Sequence, residues 1–229
     1  MKSAVITFPG SNCNQDAVMA LKKVGFEVQE IWHNENSINN NIDLIIIPGG
    51  FSYGDYLRSG AMASISPIMQ EVKRLAERGN KVLGICNGFQ ILTESNLLEG
   101  CLMRNVSGKF VCKQTLLRVE NNTSAFTYSY KKQQIINIPI AHADGNFFAS
   151  NDTIKNLEDQ NLVAFRYVDD VGNVSNQANP NGSMLNIAGI FNKQKNVLGL
   201  MPHPERAIDI YTGSTDGLVM FEGLLEGFN

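Results

Sequence analysis

Three groups in this chain have the types and spacing for nucleophilic chemistry: a cysteine between small residues, a histidine between two prolines, and a carboxylate two positions beyond that histidine. They are Cys86 in Gly84-Ile85-Cys86-Asn87-Gly88, and His203 and Glu205 in Pro202-His203-Pro204-Glu205. A free thiol is mostly protonated near neutral pH and needs a base before it attacks. An imidazole is such a base, and a carboxylate on its far nitrogen fixes which ring nitrogen faces the thiol. An extended backbone from His203 to Glu205 puts both side chains on one side. His142 is a rival base, because Asp144 stands at the same +2 spacing in Ala141-His142-Ala143-Asp144-Gly145. Spacing leaves the choice between the two open. His33 lies in a polar stretch and reads as solvated.

Each group also has a plainer reading. A cysteine ending an apolar strand is commonly a core residue. Pro-His-Pro-Glu is compatible with an ordinary turn, and His142 with a strand end. Context favours chemistry. Residues 81–85 predict a short buried strand and residues 89–94 the start of a helix, so Cys86 occupies a sharp strand-to-helix corner of the G-x-S-x-G kind, with sulfur replacing the hydroxyl. The backbone N–H of Asn87 then belongs to a helix N-terminus, where it can stabilise an oxyanion. A second donor is expected from Gly49-Gly50, where no Cβ obstructs the approach of a substrate to backbone N–H groups.

The elements that must position these groups alternate between strand and helix. Residues 3–8 predict a strand; Ala17, Ala20, Leu21 and Val24 form a helical stripe that stops at Gly25. A strand over 26–32, a polar loop over 33–41 and the apolar run Leu44-Ile45-Ile46-Ile47 follow; such a run suits a strand buried on both faces of a parallel sheet. After the glycine-rich segment 48–56, Pro67 suits a first helical position, with Ile68, Val72, Leu75 and Ala76 as the buried face and Gly79 as the stop. The pattern predicts an α/β fold with a doubly wound, mostly parallel central sheet and helices on both faces. Ligands of such sheets bind beyond the strand carboxyl ends, which places residues 9–14, 48–55 and Cys86 in one region. Beyond residue 100 the pattern predicts strands over 109–120, 134–141, 162–168 and 196–201, a helix over 151–160 and a loop over 169–186. A last helix over 216–228 would bury Leu218, Phe221 and Leu225. With no repeat or linker, residues 1–229 read as a single domain.

Composition narrows the function classes. The 229 residues are 43% hydrophobic and 18% charged, with a formal net charge of −3, so no basic footprint for nucleic acid is present. No segment reaches the ~18 consecutive apolar residues of a membrane span, and the first apolar run stops at Pro9-Gly10, too short for a secretory leader. Cys13, Cys86, Cys101 and Cys112 form no C-x-x-C pair, which argues against a disulfide scaffold or zinc knuckle and for a reducing cytoplasm. No metal site is expected. A G-x-x-x-x-G-K-[ST] phosphate loop is absent.

Gly84-Ile85-Cys86-Asn87-Gly88-Phe89-Gln90, Pro48-Gly49-Gly50-Phe51-Ser52-Tyr53-Gly54-Asp55 and Pro202-His203-Pro204-Glu205-Arg206 together resemble the class I glutamine amidotransferases, a flavodoxin-like α/β family. More narrowly, the chain is similar to the small glutaminase subunits of phosphoribosylformylglycinamidine synthase. Phe8-Pro9-Gly10-Ser11-Asn12-Cys13, Arg104-Asn105, Lys109-Phe110-Val111-Cys112 and Gly213-Ser214-Thr215-Asp216-Gly217 carry the likeness across nearly the whole chain, with residues 121–132 the least alike. Asn87 and Phe89 narrow it, since most of the class has Leu and His there.

The resemblance implies that Cys86 attacks the side-chain amide of glutamine, releasing ammonia and leaving a thioester for water to hydrolyse. It implies His203 as proton carrier, Glu205 as its orienting group, and the backbone of Gly50 and Asn87 as oxyanion donors. Gly49, Phe51, Gln90, His142, Ala143, Asp144 and Gly145 would hold the glutamine. No cofactor is implied for this chain. A large synthetase subunit, using ATP and Mg²⁺, would consume the ammonia to convert formylglycinamide ribonucleotide to the amidine, with a small bridging subunit alongside. Two other classes remain to be separated. Cysteine hydrolases and chaperones of the DJ-1 type usually place a histidine directly after the nucleophile, where Asn87 stands here. A non-catalytic glutamine-binding assembly subunit would not need Cys86, His203 and Glu205 intact.

Overall fold

The computed structural model describes residues 1–227. Its elements are β1 (Lys2–Thr7), α1 (Asn14–Val24), β2 (Glu27–Trp32), β3 (Leu44–Ile47), α2 (Ala61–Ser64), α3 (Pro67–Glu77), β4 (Lys81–Ile85), α4 (Asn87–Glu94), β5 (Cys101–Met103), β6 (Val111–Val119), β7 (Ile135–His142), β8 (Asn146–Phe148), α5 (Asn151–Asp159), β9 (Val163–Tyr167), β10 (Ile187–Phe191), β11 (Val197–Leu200) and α6 (Leu218–Glu226).

Nine strands form one sheet in the order β2-β1-β3-β4-β11-β10-β9-β6-β7. From β2 to β11 all neighbours are parallel. From β11 to β7 all are antiparallel, so the doubly wound half continues into a meander-like half. The five parallel strands reproduce the flavodoxin-like order 2-1-3-4-5, whose winding reverses between β1 and β3. Right-handed crossovers then put α1 and α3 on opposite faces.

Burial follows from this layering. All four residues of β3 and of β11 are buried, as are the inner positions of β1 and β4. Each fully buried Ile or Leu there contributes up to roughly 1.5–3 kcal/mol. The edge strand β2 is largely exposed, with Ile31 as its inward anchor.

Some elements depart from the sequence expectation. β10 falls where none was expected, β5 and β8 pair only with each other, and α2 interrupts the segment before α3. The last helix buries Met220, Phe221 and Leu224, whereas Leu218 and Leu225 are only partly covered, because its contact face is set by packing on α1. Phe228, expected in that helix, lies outside the described residues. No helix among the described residues is long and apolar enough to cross a membrane.

Candidate active site

The carboxyl ends of β1, β3, β4 and β11 converge on one side of the sheet, at the reversal of winding, and the end of β7 joins them. Cys86 links β4 directly to α4, with φ 52° and ψ −105°. That conformation resembles the first central position of a type II′ turn, which favours glycine. For a cysteine it stores strain of about 1–3 kcal/mol, of the kind concentrated at functional sites. The corner is closed by contact: a Cβ on Gly88 would lie 1.9 Å from Ile47 O, and one on Gly84 2.4 Å from Leu92 Cδ1. Cys86 N donates to Leu200 O at 2.8 Å, tying the corner to β11. The Cys86 side chain is 5% exposed, and its Sγ donates to Ala141 O at 3.7 Å.

His203 leaves the end of β11 and is 1% exposed. Its N–H donates to Pro139 O at 2.8 Å. Proline is tolerated in β7 because that strand is the sheet edge. His203 Nδ1 and Glu205 Oε1 are 2.6 Å apart, both buried. The route differs from the extended one expected. Pro204–Arg206 is a single 3-10 turn, and the tight turn, rather than strand alternation, brings Glu205 back to the ring. The other ring nitrogen, Nε2, is buried without a well-formed hydrogen bond, although Cys86 and Cys13 lie beside it. Burial disfavours the charged ring, but the Glu205 carboxylate and the Cys86 sulfur outweigh it, raising the His203 pKa well above its ordinary value.

The rival base is engaged elsewhere. His142 Nδ1 meets Asn105 Oδ1 at 3.2 Å and its Nε2 faces Asn181 Nδ2 at 3.4 Å. Burial, then the charge on His203, pushes His142 down to about 4, so the ring is neutral. Asp144 accepts from Ser59 Oγ at 2.7 Å instead of pairing with His142 as Glu205 pairs with His203. His33 stays partly exposed, with its Nδ1 2.8 Å from Tyr53 Oη and its ring against Phe8 and Trp32.

The cleft over the thiol is lined by Gly50, Phe51, Gln90, Ala141, His142, Ala143 and Asp144, together with Asp55 and Ser59. Gly50 has φ 146°, and a Cβ there would meet Ser11 Cα at 2.7 Å, so only glycine lets this loop pass beside Ser11. Gly49 runs against His203 and Cys13. Asn87 opens α4 and bridges the loop: its Oδ1 accepts from Ser52 N at 3.1 Å and its Nδ2 donates to Gln90 Oε1 at 2.8 Å. Gln90 Nε2 continues to Asp144 O at 2.7 Å, so both polar atoms of Gln90 are already used. Gly145 is turned away from the cleft, its N–H donating to Asn105 and its carbonyl accepting from Asn181 and Ser183.

Sequence reasoning missed Asp55, Ser59, Asn105, Asn181 and the pair formed by Cys13 and Arg206. Arg206 Nη2 donates to Cys13 Sγ at 3.2 Å, and Arg206 Nε to Asp16 Oδ2 at 2.9 Å. Donor atoms of Cys13, His203 and Glu205 lie within 4.8 Å of one another, close enough to share a cation. The Arg206 guanidinium on Cys13 would face such a cation directly, and Glu205 is already occupied by the imidazole. The donor set fits proton transfer better than metal binding. A larger hollow of about 460 Å³ beside Asn96, Leu162 and Gln194 has no cysteine or histidine in its walls.

A strained thiol corner thus lies beside a carboxylate-bound imidazole at the strand carboxyl ends of a doubly wound sheet. Residues 1–216 match the CobB/CobQ-like glutamine amidotransferase domain. The chain is 52% identical over 225 residues to the phosphoribosylformylglycinamidine synthase subunit PurQ of Pelagibacter ubique, covering 98% of each chain. It is 53% identical over 226 residues to the subunit of the same name from Novosphingobium aromaticivorans, covering 98% of this chain and 96% of that one. Among solved structures, a chain of PurLQS from Thermotoga maritima superposes with a TM-score of 0.87 at 44% identity, covering 100% of this chain and 99% of that one. The chain belongs to the glutamine amidotransferase family and, within it, to the PurQ subunits of phosphoribosylformylglycinamidine synthase.

Proposed function

We propose that this chain hydrolyses glutamine to glutamate and ammonia through Cys86, His203 and Glu205, and hands the ammonia to a synthetase subunit. The observation that carries the reading is the buried His203–Glu205 pair at 2.6 Å beside the strained Cys86. The raised pKa of His203 suits the ring to take the Cys86 proton as the sulfur attacks. The thiolate attacks the side-chain amide carbon of glutamine, and negative charge moves to the amide oxygen. Backbone N–H groups of Gly50 and Asn87 stabilise that oxygen. As the C–N bond breaks, His203 gives its proton to the departing nitrogen and ammonia leaves. Water then attacks the thioester with His203 as base, releasing glutamate and restoring the thiol.

The ammonia is consumed by a large synthetase subunit that uses ATP and Mg²⁺ to convert formylglycinamide ribonucleotide to its amidine, with a small bridging subunit in the assembly. The absence of a phosphate loop from the sequence supports that division of labour. Residues 1–229 act as one glutaminase domain in the cytoplasm, a placement supported by four free cysteines. Neither a membrane nor nucleic acid is a partner.

The cleft above Cys86 leaves only about 20 Å³, room for roughly one water. Glutamine therefore has to widen the cleft, and a partner that holds it open raises the rate. Glutamate formation by the lone chain is expected to be slow and to rise severalfold or more when the synthetase, ATP and formylglycinamide ribonucleotide are added. Fast turnover by the isolated chain, indifferent to the partner, would contradict this gating. Absence of turnover in both conditions would contradict the glutaminase assignment.

Asn87 separates backbone from side-chain roles. Asn87→Ala keeps the main-chain N–H but cuts the link from Ser52 to Gln90. The expected loss in kcat is about tenfold, from a loosened loop. That is less than the roughly 10²–10³ caused by losing an oxyanion donor. Steady-state glutaminase assays of the complex would measure it.

A further inference from the structure

Resting on the glutaminase reading, we infer that Asn105 and Asn181 are positioning residues that lock His142 as a neutral ring protonated on Nδ1, leaving His203 alone to carry the catalytic proton. His142 lines the cleft that holds the Cys86 thiol. His142, Asn105 and Asn181 are all buried, at 3% exposure or less, so partners inside the protein decide which way each amide points. Asn105 Nδ2 donates to Lys109 O and to His142 O, each at 2.9 Å, and its Oδ1 accepts from Gly145 N at 3.0 Å. Turned over, this amide would set its carbonyl against two others. The Oδ1 that meets His142 Nδ1 at 3.2 Å therefore accepts, and Nδ1 carries the proton. Asn181 Oδ1 accepts from Ser183 N at 3.1 Å and Ser183 Oγ at 2.8 Å, while its Nδ2 donates to Gly145 O at 2.8 Å. The same Nδ2 faces His142 Nε2 at 3.4 Å and can only donate, so Nε2 keeps its lone pair. A Cβ on Gly145 would lie 2.3 Å from His142 Cε1, so the turn confines the ring as well.

The charged groups that act on the ring are His203, beyond β11, and Asp144, in the turn after β7. Cys86 and Asp55 share the cleft, and Tyr167 on β9, which meets Asn181 Nδ2, is held as the neutral phenol by burial. Burial, then the charge on His203, brings His142 down to about 4 against the opposing pull of Asp144, in keeping with the neutral form. The consequence is chemical. Glu205 on Nδ1 makes His203 a proton carrier. A carboxylate on either nitrogen of His142 would make a second carrier in the same cleft. With asparagines at both positions the second ring stays uncharged, and no neighbouring imidazolium opposes the proton that His203 takes from Cys86.

The chain has three histidines, so labelling them with ¹⁵N gives three ring systems to follow by NMR, with His142 identified by its loss in His142→Gln. In the wild type His142 is expected to stay neutral, with Nδ1 protonated and Nε2 bare, from about pH 5.5 to about pH 8.5. Asn181→Asp keeps an acceptor for Ser183 but sets a carboxylate against Nε2, so the His142 pKa rises into that range. Glutamine hydrolysis by the complete complex should then be about tenfold or more below wild type at about pH 6, with the deficit closing as pH rises through the new pKa and the ring loses its proton. Asn105→Asp, which sets a carboxylate against Nδ1, should behave in the same way. Asn181→Ala supplies no carboxylate, so its loss should be the same at every pH. A wild-type His142 that carries its proton on Nε2, or that titrates within the range, would overturn the inference. So would aspartate variants whose deficit is as independent of pH as that of Asn181→Ala. The ring measurement needs no turnover, so failure of the wild-type complex to hydrolyse glutamine would strike the glutaminase reading while the resonances still decide the lock.

Discussion

Cys86→Ala is expected to reduce glutamine-dependent amidine synthesis by at least about 10⁴-fold, while synthesis driven by added ammonium salt continues at the wild-type rate. The size follows from removing a nucleophile that acts as one unit with its base, where single deletions eliminate nearly the whole covalent route. Retained ammonia-driven synthesis follows from placing the ATP chemistry on another subunit. If ammonium salt failed to restore the Ala variant, Cys86 would be holding the complex together rather than doing chemistry. The backbone adds a second measurement. At φ 52° and ψ −105°, alanine is strained much as cysteine is, whereas glycine is not. Cys86→Gly should therefore be as inactive as Cys86→Ala but more stable by about 1 kcal/mol. Thermal unfolding of the two inactive variants reads this directly. A higher melting temperature for Gly would show that the corner is held against its local preference to present the sulfur.

The parallel half of the fold was legible because its signals are local. The stripe of Ala17, Ala20 and Leu21, the run Leu44–Ile47 and Pro67 at a helix start each declare one element within a few residues. The antiparallel half depends on distant pairing. β10 reads poorly because Gly189 interrupts its short apolar run; a Cβ there would meet Leu200 Cβ at 2.8 Å on the neighbouring β11. That glycine allows close approach of two strands but looks like a turn signal in isolation. β5 and β8 have three residues each, and only their pairing across forty-odd positions makes them strands.

The site divides in the same way. Cys86 and the His203–Glu205 pair are encoded within a few residues of one another or of their element ends. The identical +2 spacing of His142 and Asp144 nevertheless forms no such pair. A 3-10 turn folds Glu205 onto His203, whereas Asp144 turns to Ser59, 85 positions earlier. Arg206 meets Cys13 across 193 positions, and Asn105 and Asn181 grip His142 from separate loops. No periodicity announces contacts of that range.

Glu205→Gln should lower kcat/KM for glutamine by roughly 10³–10⁴-fold and move the alkaline limb of the pH profile to lower pH. The rate effect parallels the loss when the orienting carboxylate of a catalytic histidine is replaced by its amide. The direction of the pH effect comes from the forces on His203. Burial lowers its pKa, and the Glu205 carboxylate is the foremost group raising it above the ordinary value. With the carboxylate gone, burial is opposed chiefly by the neighbouring sulfur, so the ring loses its proton at lower pH. The thiolate–imidazolium pair is present only below the His203 pKa, and its alkaline loss must follow that pKa downward. The pH dependence of kcat/KM for glutamine hydrolysis by the complete complex reports the pair, because ammonia departure needs the imidazolium proton. An alkaline limb unmoved in Glu205→Gln but moved in Asp144→Asn would transfer the orienting role to the other histidine. With Asp144 bonded to Ser59 and His142 neutral between two asparagines, the Asp144→Asn limb is expected to stay in place.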